Sequence, residues 1–485
     1  MPIRQLTKQF PFWLVTLSVV FGLTLPILIQ EGMFQDAVLY SAVSHNLAIG
    51  FGNFWFPQYS TLNLEGIPSF HEQPPLVFGI QALFYKLLGD SMYVERFYTL
   101  LMIVLHILLI RYLWKNIFPD NERYMAVGWL PVLFWLLIPV GYWSFRNNMI
   151  ENTVSVFSLC SVIVSYKNVQ SDGKNILLWL ASGFFIFLAT FSKGVPGFFP
   201  ITFPFIYWLV SRKISFRECA LYTILLTAVP LIMYGVLLLF PQSRESLSIY
   251  FYERLVRRVN SMPTADYRLE IVWRLFTELI PVMLFVILSY LLSGIKMLRS
   301  IFPKQKADFL LFLLVGLSGA LPLTLAMVQK GWYMVPSFPF LGIAFAVLVV
   351  PVISSTIQRI DMNQWKYKLF LTVSVLLFVS MTIFTISQKG KISREQDVIS
   401  DVYQIGSVVP RFSTLTVPAK MYDQYDFVLQ GFLVRYFNIS ISPYKQYEYF
   451  LKEKTMDTTI PQNYQKLDLK LSKHELYKTV GLPSQ

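Results

Sequence analysis

The chain has 485 residues, of which 55% are hydrophobic and only 14% charged, and its formal net charge is +13. Soluble domains carry about 25% charged residues, so this composition excludes an ordinary soluble globular protein and indicates an integral membrane one. The positive balance does not signal nucleic acid, because Lys and Arg lie mostly in short loops between apolar runs and read as membrane topology.

The first apolar run, "PFWLVTLSVVFGLTLPILIQ", follows "MPIRQLTKQF". It is too long for the apolar core of a signal peptide and lacks a small-residue cleavage site, so it is expected to remain as a first span. Further runs follow at roughly 97–118, 125–142, 149–166, 176–191, 195–210, 219–240, 271–293, 308–328, 332–350 and 369–386. A helix needs about 20 residues to cross the hydrocarbon core, so about eleven spans are expected. With the N-terminus inside, the inner loops carry Arg4 and Lys8, Lys115 and Arg123, Lys167 and Lys174, then Arg212, Lys213 and Arg217. Lys296, Arg299, Lys304 and Lys306, then Arg359, Lys366 and Lys368, continue the series. Every inner loop is therefore basic, and the C-terminal tail falls outside. Cys160 and Cys219 lie in or beside apolar runs toward the inner face, which argues against a structural disulfide, and no Cys/His cluster suggests zinc.

Three stretches depart from this pattern. In 31–92, "DAVLYSAVSHNLAIG" and "PPLVFGIQALFYKLLG" have helix-like apolar spacing but are too short or too polar to span, and suit helices lying in the membrane interface. The outer loop 241–270 holds Arg244, Arg254, Arg257, Arg258 and Arg268, against the usual charge bias. From 388 to 485 the composition turns polar, with a candidate helix "YDFVLQGFLVRYF" and strand-like "STLTV" and "NISIS". The expected division is a transmembrane domain over 1–387 and a small external α/β domain over 388–485.

Six outer elements could carry chemistry. Asp36 follows the first span, either as an acid favoured by a helix N-terminus or as a general base at the outer membrane face. In "SFHEQPPLVFG", Pro74 and Pro75 fix His71 and Glu72 just ahead of an interfacial helix, and an adjacent His–Glu pair is only a weak metal signal. In "FSKGVPGFFP", the runs on either side have about 16 residues each, roughly 24 Å of helix, which falls short of the hydrocarbon core. Their shared turn would lie below the surface, leaving Lys193 either to snorkel or to find an anionic partner in a cavity. Lys330 stands in "MVQKGWYMVPSFPF", where Trp332 and Tyr333 fit an aromatic belt. Arg254, Arg257 and Arg258 are spaced to share one helical face, for anionic headgroups or for clamping a phosphate. Arg146 and Glu151 flank the outer start of the fourth span, as an ion pair or a polar wall. All six elements emerge on the outer side in this topology, as a site for a phosphate-bearing ligand with a base nearby would require.

Taken in order, several motifs resemble a known family. They are Asp36 with Tyr40, "HEQPPL", "GDSMYVERF", "RNNMIENTVSVF", "SKGVPG" and "KGWYMVPSFPFLGI", over roughly residues 1–350. The chain resembles the GT-C type integral membrane glycosyltransferases, in particular the bacterial aminoarabinose (lipid A) transferase-like group related to protein O-mannosyltransferases. The resemblance implies an α-helical polytopic fold and sugar transfer from a polyprenyl-phosphate donor to a lipid, glycan or protein acceptor at the outer face of the bacterial inner membrane. By the same resemblance, Asp36 matches the catalytic acid, Glu72 the glutamate before the paired prolines, Lys193 the lysine of the lysine-glycine turn and Lys330 the lysine before the late span. Glu151 stands where the family usually has aspartate, Ala37 where glutamate often follows Asp36, and Gln73 where lysine is common.

The expected mechanism is inverting displacement. Asp36 acts as base, Lys193, Lys330, Arg257 and Arg258 bind the donor phosphate, and Tyr40, His71, Glu72, Glu151 and Tyr333 line the substrate pocket. A divalent metal is compatible with this reading and not required by it. Expected partners are the lipid-linked donor, the acceptor and membrane lipids, with no nucleic acid. The rival from another class is a transporter or flippase of a lipid-linked or anionic solute, against which one-sided charge and the lack of a visible inverted repeat both argue. A lipid-binding scaffold would explain the C-terminal segment but not the outer charges.

Overall fold

The structure is a computed structural model that describes residues 3–60, 62, 69–256, 263–293, 295–423 and 427–480. Arg257 and Arg258 lie outside the described residues.

Helix α1 (Ile3–Leu28) is followed by α2 (Gln35–Ala48), α3 (Leu76–Leu88) and α4 (Tyr93–Ile117). The two helices expected in the first outer segment are thus α2 and α3. The run at 125–142, expected as one span, is divided among α5 (Glu122–Ala126), α6 (Trp129–Leu136) and α7 (Pro139–Arg146). Pro139 causes the last break: a residue before proline avoids the helical region, and Ile138 is extended (φ −76°, ψ 116°). Helix α8 (Glu151–Ser171) then bends 119° from α7.

Next come α9 (Ile176–Lys193), a 3-10 turn Val195–Thr202, α10 (Phe203–Ser211), α11 (Phe216–Leu238) and α12 (Pro241–Ile249). The later helices are α13 (Glu270–Ser293), α14 (Ile295–Ala320), a 3-10 turn Gly331–Ser337, α15 (Phe338–Gln358) and α16 (Trp365–Ile386). Among the described residues, eight helices are long and apolar enough to cross a membrane, or nine if α7 and α8 are one broken span. The eleven apolar runs are all helical, but 125–142 and 195–210 are built from short pieces.

After α16 the elements are α17 (Gln396–Val408), β1 (Thr414–Thr416), α18 (Ala419–Asp423), α19 (Phe427–Phe437), β2 (Ser440–Ser442), β3 (Tyr449–Glu453), β4 (Tyr464–Lys466) and β5 (His474–Thr479). The strands form one sheet in the order β2-β1-β3-β5-β4, parallel across β2-β1-β3 and antiparallel across β3-β5-β4. The strand-like "STLTV" and "NISIS" carry β1 and β2, with Thr414 opposite Ser440.

The chain forms two compact units, one of Met1–Ile29 with Thr99–Lys389 and one of Gln30–Tyr98 with Gly390–Gln485. The first buries polar side chains among an apolar core and exposes apolar ones. Helix α8 buries Asn152, Thr153, Ser155, Ser158, Ser161, Ser165 and Asn168. Ser182 of α9 bonds both Ser161 (2.9 Å) and Ser165 (2.7 Å), and His106 Nε2 lies 2.8 Å from Ser155 Oγ. Leu231, Ile232, Leu292, Leu376 and Ile383 are exposed. Lipid offers no hydrophobic drive between helices, so hydrogen bonds and close packing hold such a bundle while its apolar face meets the acyl chains.

The second unit has a water-type interior. Leu415, Leu451, Leu476, Ile399, Val402, Leu429 and Phe432 are buried in its sheet and helices. It joins the segment after α1 to the C-terminal sheet through α2 and α19, which pack together: a Cβ on Gly431 of α19 would come within 2.6 Å of Val38 Cγ1 on α2.

Candidate functional site

In the first unit, the "SKGVPG" turn is set by two glycines. Gly194 ends α9 with φ +83°, a conformation that L side chains rarely adopt, and a Cβ there would overlap the Tyr250 hydroxyl. A Cβ on Gly197 would fall 2.5 Å from the backbone of Ala189 and Thr190, so only glycine lets the 3-10 turn lie against the end of α9.

Lys193 is the last residue of α9 and Glu151 belongs to the first turn of α8, so each charge has the sign its helix end favours. The two form a buried ion pair, with Glu151 wholly inaccessible and Lys193 only 5% exposed. Lys193 therefore has an anionic partner rather than snorkelling to a headgroup. The Lys193 ammonium also lies 4.5 Å from the Tyr333 ring centroid, and the Tyr250 hydroxyl donates to its carbonyl (3.3 Å). Tyr333 thus packs on a buried lysine, a more specific role than membership of an aromatic belt. Among the described residues, Glu151 Oε2 is buried without a hydrogen-bond partner.

Lys330 immediately precedes the turn Gly331–Ser337 that carries Tyr333, and its ammonium is 5.8 Å from the Trp332 ring. Trp332 stacks on Trp143 of α7 (5.3 Å). Among the described residues, Lys330 has no carboxylate partner, unlike Lys193. Arg146 does not pair with Glu151: its Nε donates to the Leu23 carbonyl (2.6 Å) and its guanidinium lies over Tyr142 (4.8 Å).

Sequence reasoning passed over two charges in this unit. Glu278 of α13 accepts from the Val140 N–H (2.7 Å), capping the first turn of α7 from another helix. A Cβ on Gly331 would overlap the Arg274 guanidinium, so that side chain lies against the backbone next to Lys330. A lone Arg and a lone Glu four residues apart inside the apolar run 271–293 were the available signal.

The second unit holds Asp36, Tyr40, His71 and Glu72. Phe34 is the N-cap of α2 and offers no side-chain cap; Asp36 sits in the first turn, half-buried, where the helix dipole favours its charge. Tyr40 is one turn further on, buried, with its ring 6.0 Å from Phe78 of α3. His71 is buried, with Nε2 2.5 Å from Ser69 Oγ and Phe56 edge-on at 5.6 Å. Glu72 is half-buried. Pro75 then caps α3, as the paired prolines led one to expect. Among the described residues, no group of three or more His, Cys, Asp and Glu is arranged to hold a metal ion.

The same unit contains an ion cluster that the sequence reading missed. Arg435 of α19 is wholly buried, and its Nη1 donates to Asp90 (2.9 Å) while Nη2 donates to Glu95 (3.1 Å) and to the Ser91 carbonyl (3.1 Å). Its guanidinium lies 4.7 Å from the Tyr85 ring, and the Tyr85 hydroxyl donates to Glu95 (2.8 Å). His45 Nε2 of α2 lies 2.7 Å from Asp90. Burial opposes the Arg435 charge, yet Glu95, Tyr85 and Asp90 hold its pKa above the ordinary value. Burial alone would raise Asp90, but His45 and Arg435 pull it down to about 2. Asp90 and Glu95 are the acids of "GDSMYVERF", and Arg435 is the lone charge in the apolar "FVLQGFLVRYF".

Residues 72–237 match the family described as Dolichyl-phosphate-mannose-protein mannosyltransferase. No curated protein sequence matches the chain. Among solved structures, the chain is similar to ArnT from Cupriavidus metallidurans in the apo state, at 13% identity and a TM-score of 0.63, covering 98% of both chains. It is similar to the same ArnT bound to undecaprenyl phosphate, at 14% identity and a TM-score of 0.61 over 96% of this chain and 97% of that one. It is also similar to the archaeal oligosaccharyltransferase AglB from Archaeoglobus fulgidus in complex with an inhibitory peptide and a dolichol-phosphate, at 10% identity and a TM-score of 0.53 over 92% and 70%. At such identities the likeness in structure speaks for the fold alone. The family match is confined to residues 72–237, and the solved structures show a fold shared over nearly the whole chain.

Proposed function

We propose that the chain transfers a sugar from a polyprenyl-phosphate donor to a lipid, glycan or protein acceptor, with inversion, at the outer face of a bacterial inner membrane. The N-terminus is cytoplasmic and the C-terminal segment external, as the basic inner loops favour. Supporting the donor class, one similar structure holds undecaprenyl phosphate and another dolichol-phosphate.

The observation that carries the reading is the contact of Lys193 with Tyr333, which joins the two lysine turns, "SKGVPG" and "KGWYMVP", inside one unit. Of the two lysines, Lys330 is the stronger phosphate ligand, because Glu151 already balances Lys193. Lys193 and Tyr333 shape the wall beside it. Arg257 and Arg258 are assigned to the phosphate on charge alone. In the reaction the acceptor oxygen attacks the anomeric carbon from the face opposite the phosphate. The bond from that carbon to the phosphate oxygen breaks, its electron pair leaves with polyprenyl phosphate, and Asp36 takes the acceptor proton. Cations at the phosphate stabilise the charge that grows on the leaving group, an effect worth about 10²–10³ in rate per well-placed donor. Tyr40, His71 and Glu72, in the unit of Asp36, and Glu151, in the unit of Lys193, are each assigned to substrate binding.

Asp36→Asn is expected to abolish release of polyprenyl phosphate from a labelled polyprenyl-phosphate sugar while the protein still inserts and purifies normally. Unchanged turnover would refute Asp36 as the base. Acceptor-dependent release also separates a transferase from a transporter, which would move the lipid-linked sugar intact.

A further inference from the structure

We infer that the C-terminal segment is the frame that positions the helix carrying Asp36, with Gly431, Arg435 and Tyr403 as positioning residues. The inference rests on the reading of Asp36 as the base.

Asp36 lies between two stretches that the C-terminal segment grips. Upstream, the Glu31 N–H donates to the Lys391 carbonyl (2.9 Å), and the Ser393 N–H and hydroxyl both donate to the Glu31 carbonyl (2.8 and 2.9 Å). The Tyr403 hydroxyl donates to the Glu31 carboxylate (2.8 Å). Gly32 has φ +96°, and a Cβ there would fall 2.7 Å from the Arg394 carbonyl, so the two strands of chain touch through backbone. Arg96, next to Glu95, donates from Nη2 to the Gly32 carbonyl (3.0 Å).

Downstream, Gly431 of α19 receives Val38, two residues after Asp36. His45 at the far end of α2 reaches Asp90, which Arg435 holds, and Asn438 Nδ2 donates to Asn46 Oδ1 (3.3 Å). The position of α2, and so of the Asp36 carboxylate, is therefore over-determined by Lys391, Ser393, Tyr403, Gly431, Arg435 and Asn438. A reacting group displaced by about 1 Å can lose about 10²-fold in rate.

The gap at Gly431 makes the inference testable without disturbing a charge. A Cβ at 431 would meet both Cγ1 (2.6 Å) and Cβ (3.3 Å) of Val38, so side-chain rotation alone does not clear it and the packing of α2 on α19 must give. Alanine in a helix interior is intrinsically favoured over glycine by about 1 kcal/mol, which works against any loss of fold. Gly431→Ala is expected to lower kcat about tenfold with the donor KM and melting temperature nearly unchanged. Adding Val38→Ala, which removes the colliding methyls, is expected to restore kcat. Arg435→Met should lower kcat about 100-fold if it folds; if it does not, Tyr403→Phe replaces it, with a loss of several-fold.

Should Asp36→Asn be inactive while Gly431→Ala and Tyr403→Phe turn over normally, the framing role is overturned and the base assignment stands. Loss of kcat in Gly431→Ala without recovery in the pair likewise counts against it. If Asp36→Asn remains active, the base assignment fails and the inference falls with it.

Discussion

In each compact unit a cation is buried against a glutamate, Lys193 in one and Arg435 in the other, and the two pairings differ. In the first, Lys193 meets one carboxylate and one ring, and Glu151 keeps an oxygen that has no hydrogen-bond partner among the described residues. In the second, Arg435 meets two carboxylates, a carbonyl and the face of Tyr85. Residue chemistry accounts for much of the contrast. A guanidinium presents five donors in a fixed fork and suits a permanent lattice, whereas an ammonium is a compact charge on a flexible stem. Each cluster keeps a buried atom without a partner among the described residues, Glu151 Oε2 and Arg435 Nε, but the arginine ties four groups together where the lysine ties two.

The largest expected effect tests that contrast directly. Lys193→Met leaves Glu151 charged and buried, at a cost of about 3–5 kcal/mol, read as a large fall in melting temperature in detergent. Adding Glu151→Leu removes the stranded charge and should recover most of the loss, although activity stays low. In the second unit, Arg435→Met with Glu95→Leu should recover much less, because Asp90, the Ser91 carbonyl and the Tyr85 hydroxyl each lose a partner as well. Equal recovery in the two pairs would erase the distinction.

Next in size is Lys330, a cation facing an aromatic ring rather than an acid. Lys330→Gln is expected to raise the donor KM about tenfold, equivalent to about 1.4 kcal/mol of binding, with the melting temperature unchanged. A melting loss as large as that of Lys193→Met would mean that Lys330 is structural, and the division of labour between the two lysines would fail.

How much of this could be read in advance follows from the physics of each feature. Apolar runs of about 20 residues mark spans because the hydrocarbon core demands them, and the paired prolines of "HEQPPL" mark the start of α3 because proline tolerates only the first turn of a helix. The breaks in 125–142 were less visible, since composition stays apolar through Pro139 and length alone was counted. That Gln30–Tyr98 forms a unit with the C-terminal segment was not legible. The bonds that do it join residues some 340 or more positions apart, and nothing local names the partner of either. The tell-tale residue was Arg435, one charge in an otherwise apolar helix, which had to find acids somewhere. Of the site, the helix ends bearing Asp36, Glu151 and Lys193 were legible from caps, glycines and prolines, while the pairing of Lys193 with Glu151 rather than of Arg146 with Glu151 needed coordinates.

The smallest effect concerns the rim of the arginine cluster. Asp90 is pulled from its ordinary 3.8 to about 2 by its hydrogen bonds and its attraction to His45 and Arg435, against burial. A carboxyl depressed in the folded state adds stability that is complete above the unfolded value and disappears as pH falls through the folded one. The melting temperature of the second unit should therefore decline between about pH 4 and pH 2, and part of that decline should vanish in Asp90→Asn, which does not titrate. With the Asp90 side chain 42% exposed, solvent screening holds the neutral-pH cost of the substitution below about 1 kcal/mol. A slope between pH 4 and pH 2 identical to that of the unaltered protein would place the acid sensitivity elsewhere.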